Sequence, residues 1–367
     1  MTAPATVGEE QLPEALKRVS AAKGRQMAYE ITTHDDGVAA YGGTMTGLVG
    51  KFGSGKSTLM LQLAAASSYV PAPHSKNNPR ATRYPETVIH RGLAHDHWNC
   101  LIPENFQQSF PEAQIVKPLR VHVYYKDRRI WTEERDRKKY RIQFKPLEEL
   151  TYYSSPEELY DNLLRGGVNV VYEPKQYYLP KDVLDRIAAN NLLSTRKRPD
   201  GPIRAPSPIW WFEFLETLIR IKYRDEFFLI DLDEAHQVFP SNSRGDLWHL
   251  IGWFSETMIS FRKNNTSLNL GTQDTNDVDY RVTDRLSYYI WLRGSRPKAR
   301  VSMVNPRLIG ILPRAGWAIL EEPKERFGRM PFTRIPNQPP VIKTEDAQSQ
   351  EPTDAARGAS RCAVASN

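Results

Sequence analysis

The residues with the plainest chemistry lie early in the chain. Gly50-Lys51-Phe52-Gly53-Ser54-Gly55-Lys56-Ser57 is a complete G-x4-G-K-[ST] pattern. Its glycines let the backbone turn tightly enough for successive N–H groups to converge on phosphate oxygens. A helix starting at Lys56 would aim its positive end at the same phosphates. We expect Lys56 to stand exposed at the loop–helix junction and to reach the β- and γ-phosphates of ATP. The Ser57 hydroxyl is expected to join the Mg²⁺ shell, and Ser54 and Thr58 to complete the phosphate cradle.

Further along, Phe227-Phe228-Leu229-Ile230-Asp231-Leu232-Asp233-Glu234 is an apolar run ending in carboxylates. A phosphate-loop enzyme needs one acid to hold Mg²⁺ through water and, for hydrolysis, a second to polarise the attacking water. Asp233 followed by Glu234 supplies both. Asp231, two residues back on the same strand face, is the rival for the metal role, and Asp233 is preferred because the glutamate follows it directly. A second strand ending in polar groups, Leu268 to Asp274, offers the Gln273 amide, a neutral donor and acceptor suited to sensing water and phosphate together. Transition-state charge calls for an arginine, often from a neighbouring subunit. Arg262 is the first choice, with Arg281 and Arg285 as alternatives.

These groups need strands and helices to hold them. Residues 44–49 read as a strand, 56–63 as the start of a helix, and 227–233, 267–273 and 288–294 as further strands, the last in the chain. Ser155-Pro156-Glu157-Glu158 has the pattern of a capped helix start. Residues 246–262 and the aromatic segment from Trp210, with Trp211, Phe212 and Phe214 at helical spacing, read as helices whose aromatics pack in the core. Strands alternating with helices predict a three-layer α/β sandwich around a mostly parallel sheet. Residues 1–43 are expected to form an arm and lead-in, 44–335 the ATPase domain, and 336–367 a disordered tail rich in Gln, Ser, Pro and Thr. Within the domain, about 70–150 reads as an insertion. It is loop-rich to 118, then forms a hairpin from strands at 119–125 and 140–144.

Composition narrows the class. The 367 residues carry 50 Lys+Arg against 43 Asp+Glu, a net charge of +7. Segment 117–147 alone holds that surplus, with basic residues interleaved with Tyr124, Tyr125, Trp131 and Tyr140. It reads equally well as a phosphate-contacting surface and as a solvated hairpin. No apolar run approaches the roughly 20 residues of a membrane span. The opening MTAPATVGEE lacks the pattern of a secretory signal. The 2 cysteines, Cys100 and Cys362, cannot build a disulfide framework, so a cytoplasmic protein is expected. His95, His97 and Cys100 have metal-ligand types but no second pair, and read as a surface loop.

Three segments together resemble the HerA–FtsK superfamily of DNA-pumping ATPases: GKFGSGKS at 50–57, FFLIDLDEAH at 227–236 and RKNNTSLNLGTQDTNDVD at 262–279. The resemblance spans about 44–295, apart from 70–150. It implies a RecA-like P-loop NTPase fold, ATP and Mg²⁺ as cofactors, and a homo-oligomeric ring, typically a hexamer, that moves double-stranded DNA. It also implies a capsid or membrane-vertex protein as docking partner. Small members include viral genome-packaging ATPases and zonular occludens toxin-like phage assembly proteins. The membrane anchor of the toxin-like group, an FtsK-like winged-helix domain and a HerA-like barrel are not apparent. A compact viral or plasmid packaging motor is therefore the expected function. The alternatives are a nucleotide-binding switch or assembly ATPase without translocation, and a DEAH-type helicase spelled by Asp233-Glu234-Ala235-His236.

Overall fold

Continuous burial marks the central strands. Met45–Val49 (β1), Thr87–Arg91 (β2), Val168–Val171 (β5), Phe228–Leu232 (β6), Thr266–Thr272 (β7) and Tyr288–Trp291 (β8) are buried at every position, as strands covered on both faces must be. With Leu119–Tyr124 (β3), Leu150–Tyr153 (β4), Trp317–Glu322 (β9) and Arg326–Pro331 (β10) they form one 10-stranded sheet, in the order β10-β9-β8-β1-β7-β6-β2-β5-β3-β4. From β8 to β4 every neighbouring pair is parallel; at the other edge β9 runs antiparallel to both β8 and β10. The computed structural model describes residues 8–33, 42–69, 86–93, 95–96, 98, 119–124, 129–135, 138–140, 150–183, 185, 203–222, 226–298, 302–314, 316–332 and 341–346.

Helices cover both faces, giving the expected three layers. Along β6, Phe228, Ile230 and Leu232 face one way, against Trp210–Ile221 (α4) and Gly245–Lys263 (α5), with Trp211, Phe212, Phe214, Ile251 and Phe254 in the same core. Leu229 faces the other way and shares a cluster with Leu61, Ala64 and Ala65 of Lys56–Tyr69 (α2). Beside that cluster, Met27 and Ile31 of Ala21–Thr33 (α1) pack with Leu48, Ile290, Ala318 and Leu320. The capped helix start is present: the Ser155 hydroxyl accepts the Glu158 N–H at 3.2 Å, opening the helix Pro156–Asp161 (α3).

Several sequence expectations change. Residues 87–91 are not loop but the strand beside β6. Their polar His90 and Arg91 hide its strand character, and both find carboxylate partners, Asp231 and Glu173. Leu119–Tyr124 joins the main sheet between β5 and β4 instead of pairing within a hairpin. The hairpin lies further on, Arg129–Arg135 against Lys138–Tyr140, while 141–144 fall outside the described residues. Residues 288–291 are not the last strand, because β9 and β10 extend that edge. Helix α1, within the expected N-terminal arm, packs on this pair. The expected disordered tail contains a strand, Val341–Asp346, antiparallel to Arg129–Arg135, and 347–367 lie outside the described residues. The backbone at His95 and Asp96 pairs with that strand; His97 and Cys100 are outside the described residues. Among the described residues no helix is long and apolar enough to cross a membrane.

Candidate active site

The strand order decides what can meet. Strand β7 lies between β1, which feeds the glycine-rich loop, and β6, which ends in the acids. All three are parallel, so the loop, Gln273 and Asp233-Glu234 emerge at the same end of the sheet. The register is direct: Val49 pairs with Thr272, and the Gly50 N–H bonds the Thr272 carbonyl at 3.1 Å. In the loop Gly53 and Gly55 have φ of 74° and 93°, where a side chain would be strained. Helix α2 begins at Lys56, as its sequence pattern predicts. The half-buried Ser57 and Thr58 lie in its first turn, and the buried Ser54 hydroxyl has no hydrogen-bond partner among the described residues.

Lys56 differs from expectation. It is buried, 7% exposed, because Asp233 draws its ammonium inward: Nζ bonds Asp233 Oδ1 and lies 3.5 Å from Glu234 Oε1. The other Asp233 oxygen accepts the Ser57 hydroxyl at 2.7 Å. Lys56, Ser57, Asp233 and Glu234 therefore form one contiguous group. Asp231, the rival acid, is fully buried one turn of the pleat below and bonds His90 Nδ1 at 2.6 Å, away from the loop.

Room for the Asp233 carboxylate comes from Gly271 on β7. A Cβ there would stand 2.6 Å from Asp233 Oδ1 and 2.5 Å from Met60 Sδ. The sequence reading missed this glycine, since its need is set by a neighbouring strand. Gln273 follows Thr272 directly and is half-buried at the sheet end.

The arginines sort by strand direction. Arg262 lies in the last turn of α5, which leads into the start of β7, so its backbone is at the opposite end of the sheet from the loop. The length of β7 puts about 20 Å between them, beyond an arginine's reach within one chain. Its side chain is outside the described residues. Arg285 is exposed two residues before Ser287, whose N–H bonds Met45 at the start of β1, again the far end. Arg281 holds Asp279 through Nε at 2.9 Å and Nη2 at 2.8 Å, and stacks on Trp248. One arginine beside the loop is one the motifs did not mark: Arg314, exposed, with Nη2 3.9 Å from the Cβ position of Gly53.

This topology, with a phosphate-loop strand flanked by the strand that presents Gln273 and then by the acidic strand, decides the fold. It is a RecA-like P-loop NTPase fold. Similar solved structures include the genome packaging NTPase from Sulfolobus turreted icosahedral virus 2 in complex with ATP-gammaS, at 11% identity over 79% of this chain and 98% of that one, TM-score 0.35. The same virus NTPase with AMP matches at 13% identity over 79% and 98%, TM-score 0.37. The N-terminal domain of zonular occludens toxin from Neisseria meningitidis matches at 10% over 80% and 95%, TM-score 0.31. No family model matches the chain, and no curated protein matches it.

Chemically, the group offers an ammonium and loop N–H groups for phosphates, a hydroxyl with a carboxylate for a hard cation, and a second carboxylate at the same edge. A hydroxyl and a carboxylate 2.7 Å apart are hard oxygen donors of the kind Mg²⁺ takes while keeping several waters. The residues present fit that ion. Among the described residues no group of three or more His, Cys, Asp or Glu side chains could hold a metal.

Proposed function

We propose that this chain is a Mg²⁺-dependent ATPase that moves double-stranded DNA as a homo-oligomeric ring in genome packaging. The observation that carries the ATPase reading is the convergence of Lys56, Ser57, Asp233 and Glu234 at the end of β1 and β6. In this reading the loop N–H groups, Ser54, Thr58 and Lys56 hold the phosphates, and Ser57 and Asp233 hold Mg²⁺. Bound Mg²⁺ neutralises phosphate charge. A polyphosphate that takes over Lys56 frees the carboxylates beside it, so that Glu234 can orient and deprotonate the attacking water while Gln273 senses water and phosphate. Arg314 adds a cation on the loop side.

One feature supports assembly. Phe52, at the tip of the loop, is 96% exposed, an apolar surface suited to burial by a neighbour. In this reading Arg262, too far from the loop of its own chain, acts on the phosphate of another subunit. DNA as the substrate follows from the three motifs that resemble DNA-pumping ATPases, and a capsid or membrane-vertex protein as the docking partner follows from the same resemblance. The packaging ATPases among the similar structures are of the same kind. A DEAH-type helicase needs a second RecA-like domain, and the described residues build one large sheet.

The test is ATP hydrolysis with and without double-stranded DNA, with mass measured in parallel. Stimulation by DNA in an oligomer is expected. Mixing Arg262→Ala with Lys56→Ala subunits should restore activity, because one interface in the mixture pairs an intact loop with an intact arginine. An arginine finger contributes roughly 10³–10⁵ in rate, so partial rescue stands above background. No stimulation from a monomer would favour a nucleotide switch or assembly ATPase.

A further inference from the structure

Glu234 occupies an unusual backbone position. It caps the short turn Ala235–Gln237 with φ 52° and ψ 47°, the left-handed region that a glutamate rarely adopts. Such a conformation persists only where the surroundings over-determine it. Here one side chain on a neighbouring strand holds the backbone on both sides of Glu234. Arg91, at the end of β2, is 1% exposed, and its Nη1 donates to the carbonyl of Asp233 at 3.3 Å and to that of Glu234 at 3.4 Å. Those oxygens belong to the two peptide planes on either side of the Glu234 Cα, whose rotations are φ and ψ. A guanidinium that holds both oxygens holds both angles.

The guanidinium is itself locked. Nε and Nη2 fork onto the Glu173 carboxylate at 2.8 and 2.6 Å, just past the end of β5, and Nη2 also reaches Gln237 Oε1 at 3.0 Å. Trp211 of α4 donates its indole N–H to the same carboxylate. Every nitrogen of Arg91 is thus used, three of its partners lie on the turn that carries Glu234, and the pair is tied to the helix layer. The turn ends with the Gln237 N–H on the Glu234 carbonyl at 2.9 Å, and the Asp233 carboxylate accepts the Glu234 N–H at 2.8 Å.

We infer that the Arg91–Glu173 pair is a positioning unit for water activation: it fixes the left-handed turn that aims the Glu234 carboxylate at the phosphate site. Arg91 is buried with all its nitrogens on protein partners, and in this reading it acts through Glu234. This inference rests on the proposed role of Glu234. Only a forked, planar cation fits, because a lysine carries the charge at one point and cannot hold two carbonyls while satisfying a bidentate carboxylate.

A double-mutant cycle in the full-length protein tests it, with nucleotide binding and turnover measured separately. Arg91→Lys should lower kcat roughly ten- to hundredfold, the size of effect expected when a reacting group is displaced by up to about 1 Å. Affinity for Mg·ATP should stay within about twofold. In a Glu234→Gln background Arg91→Lys should cost nothing more, since the group it positions is already disabled. An equal further loss in that background overturns the inference, and so does a loss confined to nucleotide affinity. If Arg91→Lys does not fold, Glu173→Gln, which keeps the shape and breaks the fork, carries the same cycle with the same outcomes. Wild-type turnover by Glu234→Gln alone would instead sink the role of Glu234, and this inference with it; slow turnover with additive losses would sink this inference only.

Discussion

Replacing Gly271 with alanine would test the geometry of the acid directly. Gly271 pairs with Leu48 in the middle of the sheet, and its backbone is ordinary extended strand, so what it supplies is space. An added methyl would sit 2.6 Å from Asp233 Oδ1, against about 3.4 Å for an ordinary contact, so the carboxylate must retreat by about 0.8 Å. Asp233 cannot retreat alone, because it bonds Lys56, the Ser57 hydroxyl at 2.7 Å and the Glu234 N–H at 2.8 Å. A misplacement near 1 Å in such a constellation costs about 10²-fold in turnover. Overpacking itself costs about 1–3 kcal/mol of stability. Gly271→Ala should therefore fold with a lowered melting temperature, hydrolyse ATP about a hundredfold more slowly, and need more Mg²⁺ for half-maximal activity. Met60 Sδ would also be crowded, at 2.5 Å, so Met60→Ala in the same chain separates the two contacts. Wild-type turnover and Mg²⁺ dependence in the single variant would refute the reasoning. So would full recovery when Met60 is shortened, for then the thioether and not the carboxylate transmits the clash.

Glu234→Gln should bind Mg·ATP normally and hydrolyse it roughly 10²–10⁴-fold more slowly, as read by nucleotide binding against steady-state turnover. Lys56→Ala should abolish nucleotide binding and also lower thermal stability, because it strands the buried Asp233 carboxylate, a loss visible by calorimetry without ligand. Arg314→Ala should raise KM for ATP with little change in melting temperature, since the side chain is exposed beside the loop. His122 gives a pH signature: burial lowers its pKa to about 4, against a weaker opposing effect of its hydrogen bond to Asn169. Unfolding restores its ordinary affinity for a proton, so its contribution is intact above about 6.5 and is lost as pH falls toward 4, by about 3 kcal/mol. Urea midpoints at pH 5 and 7 should diverge less in His122→Gln than in the wild type.

What the sequence revealed was whatever is local. The glycine spacing at 50–57, the apolar run into Asp233-Glu234 and the Ser155 cap are each written in consecutive residues, and each formed where its pattern predicts. What stayed hidden depends on partners far along the chain. Strand β2 carries His90 and Arg91 in a buried run, and reads as polar until Asp231 and Glu173, 141 and 82 residues away, are placed beside them. The burial of Lys56 comes from Asp233, 177 residues on. That His90 bonds Asp231, the rival acid, was equally hidden from the local pattern. Composition marked 341–346 as tail because nothing nearby told of its mate at 129–135. The position of the arginines was hidden for a directional reason: linear proximity to the Gln273 strand does not say at which end of it a residue stands, and the Arg262 backbone stands at the end away from the loop.

The same long-range pairing bears on how the protein is born. Strand β1, which carries the glycine loop, has only β7 and β8 beside it; Met45 pairs with Leu268, and Thr46 with both Asn269 and Tyr288. Thr44, just before it, bonds the Ser267 hydroxyl 223 residues later. At about 5–20 residues per second, a ribosome takes roughly 10–45 s to supply those partners. Until then the loop has no sheet to hang from, and an apolar strand waits with both edges open. A nascent chain that has not passed Trp291 therefore lacks the sheet that shapes the glycine loop, and the proposed nucleotide site forms late and all at once.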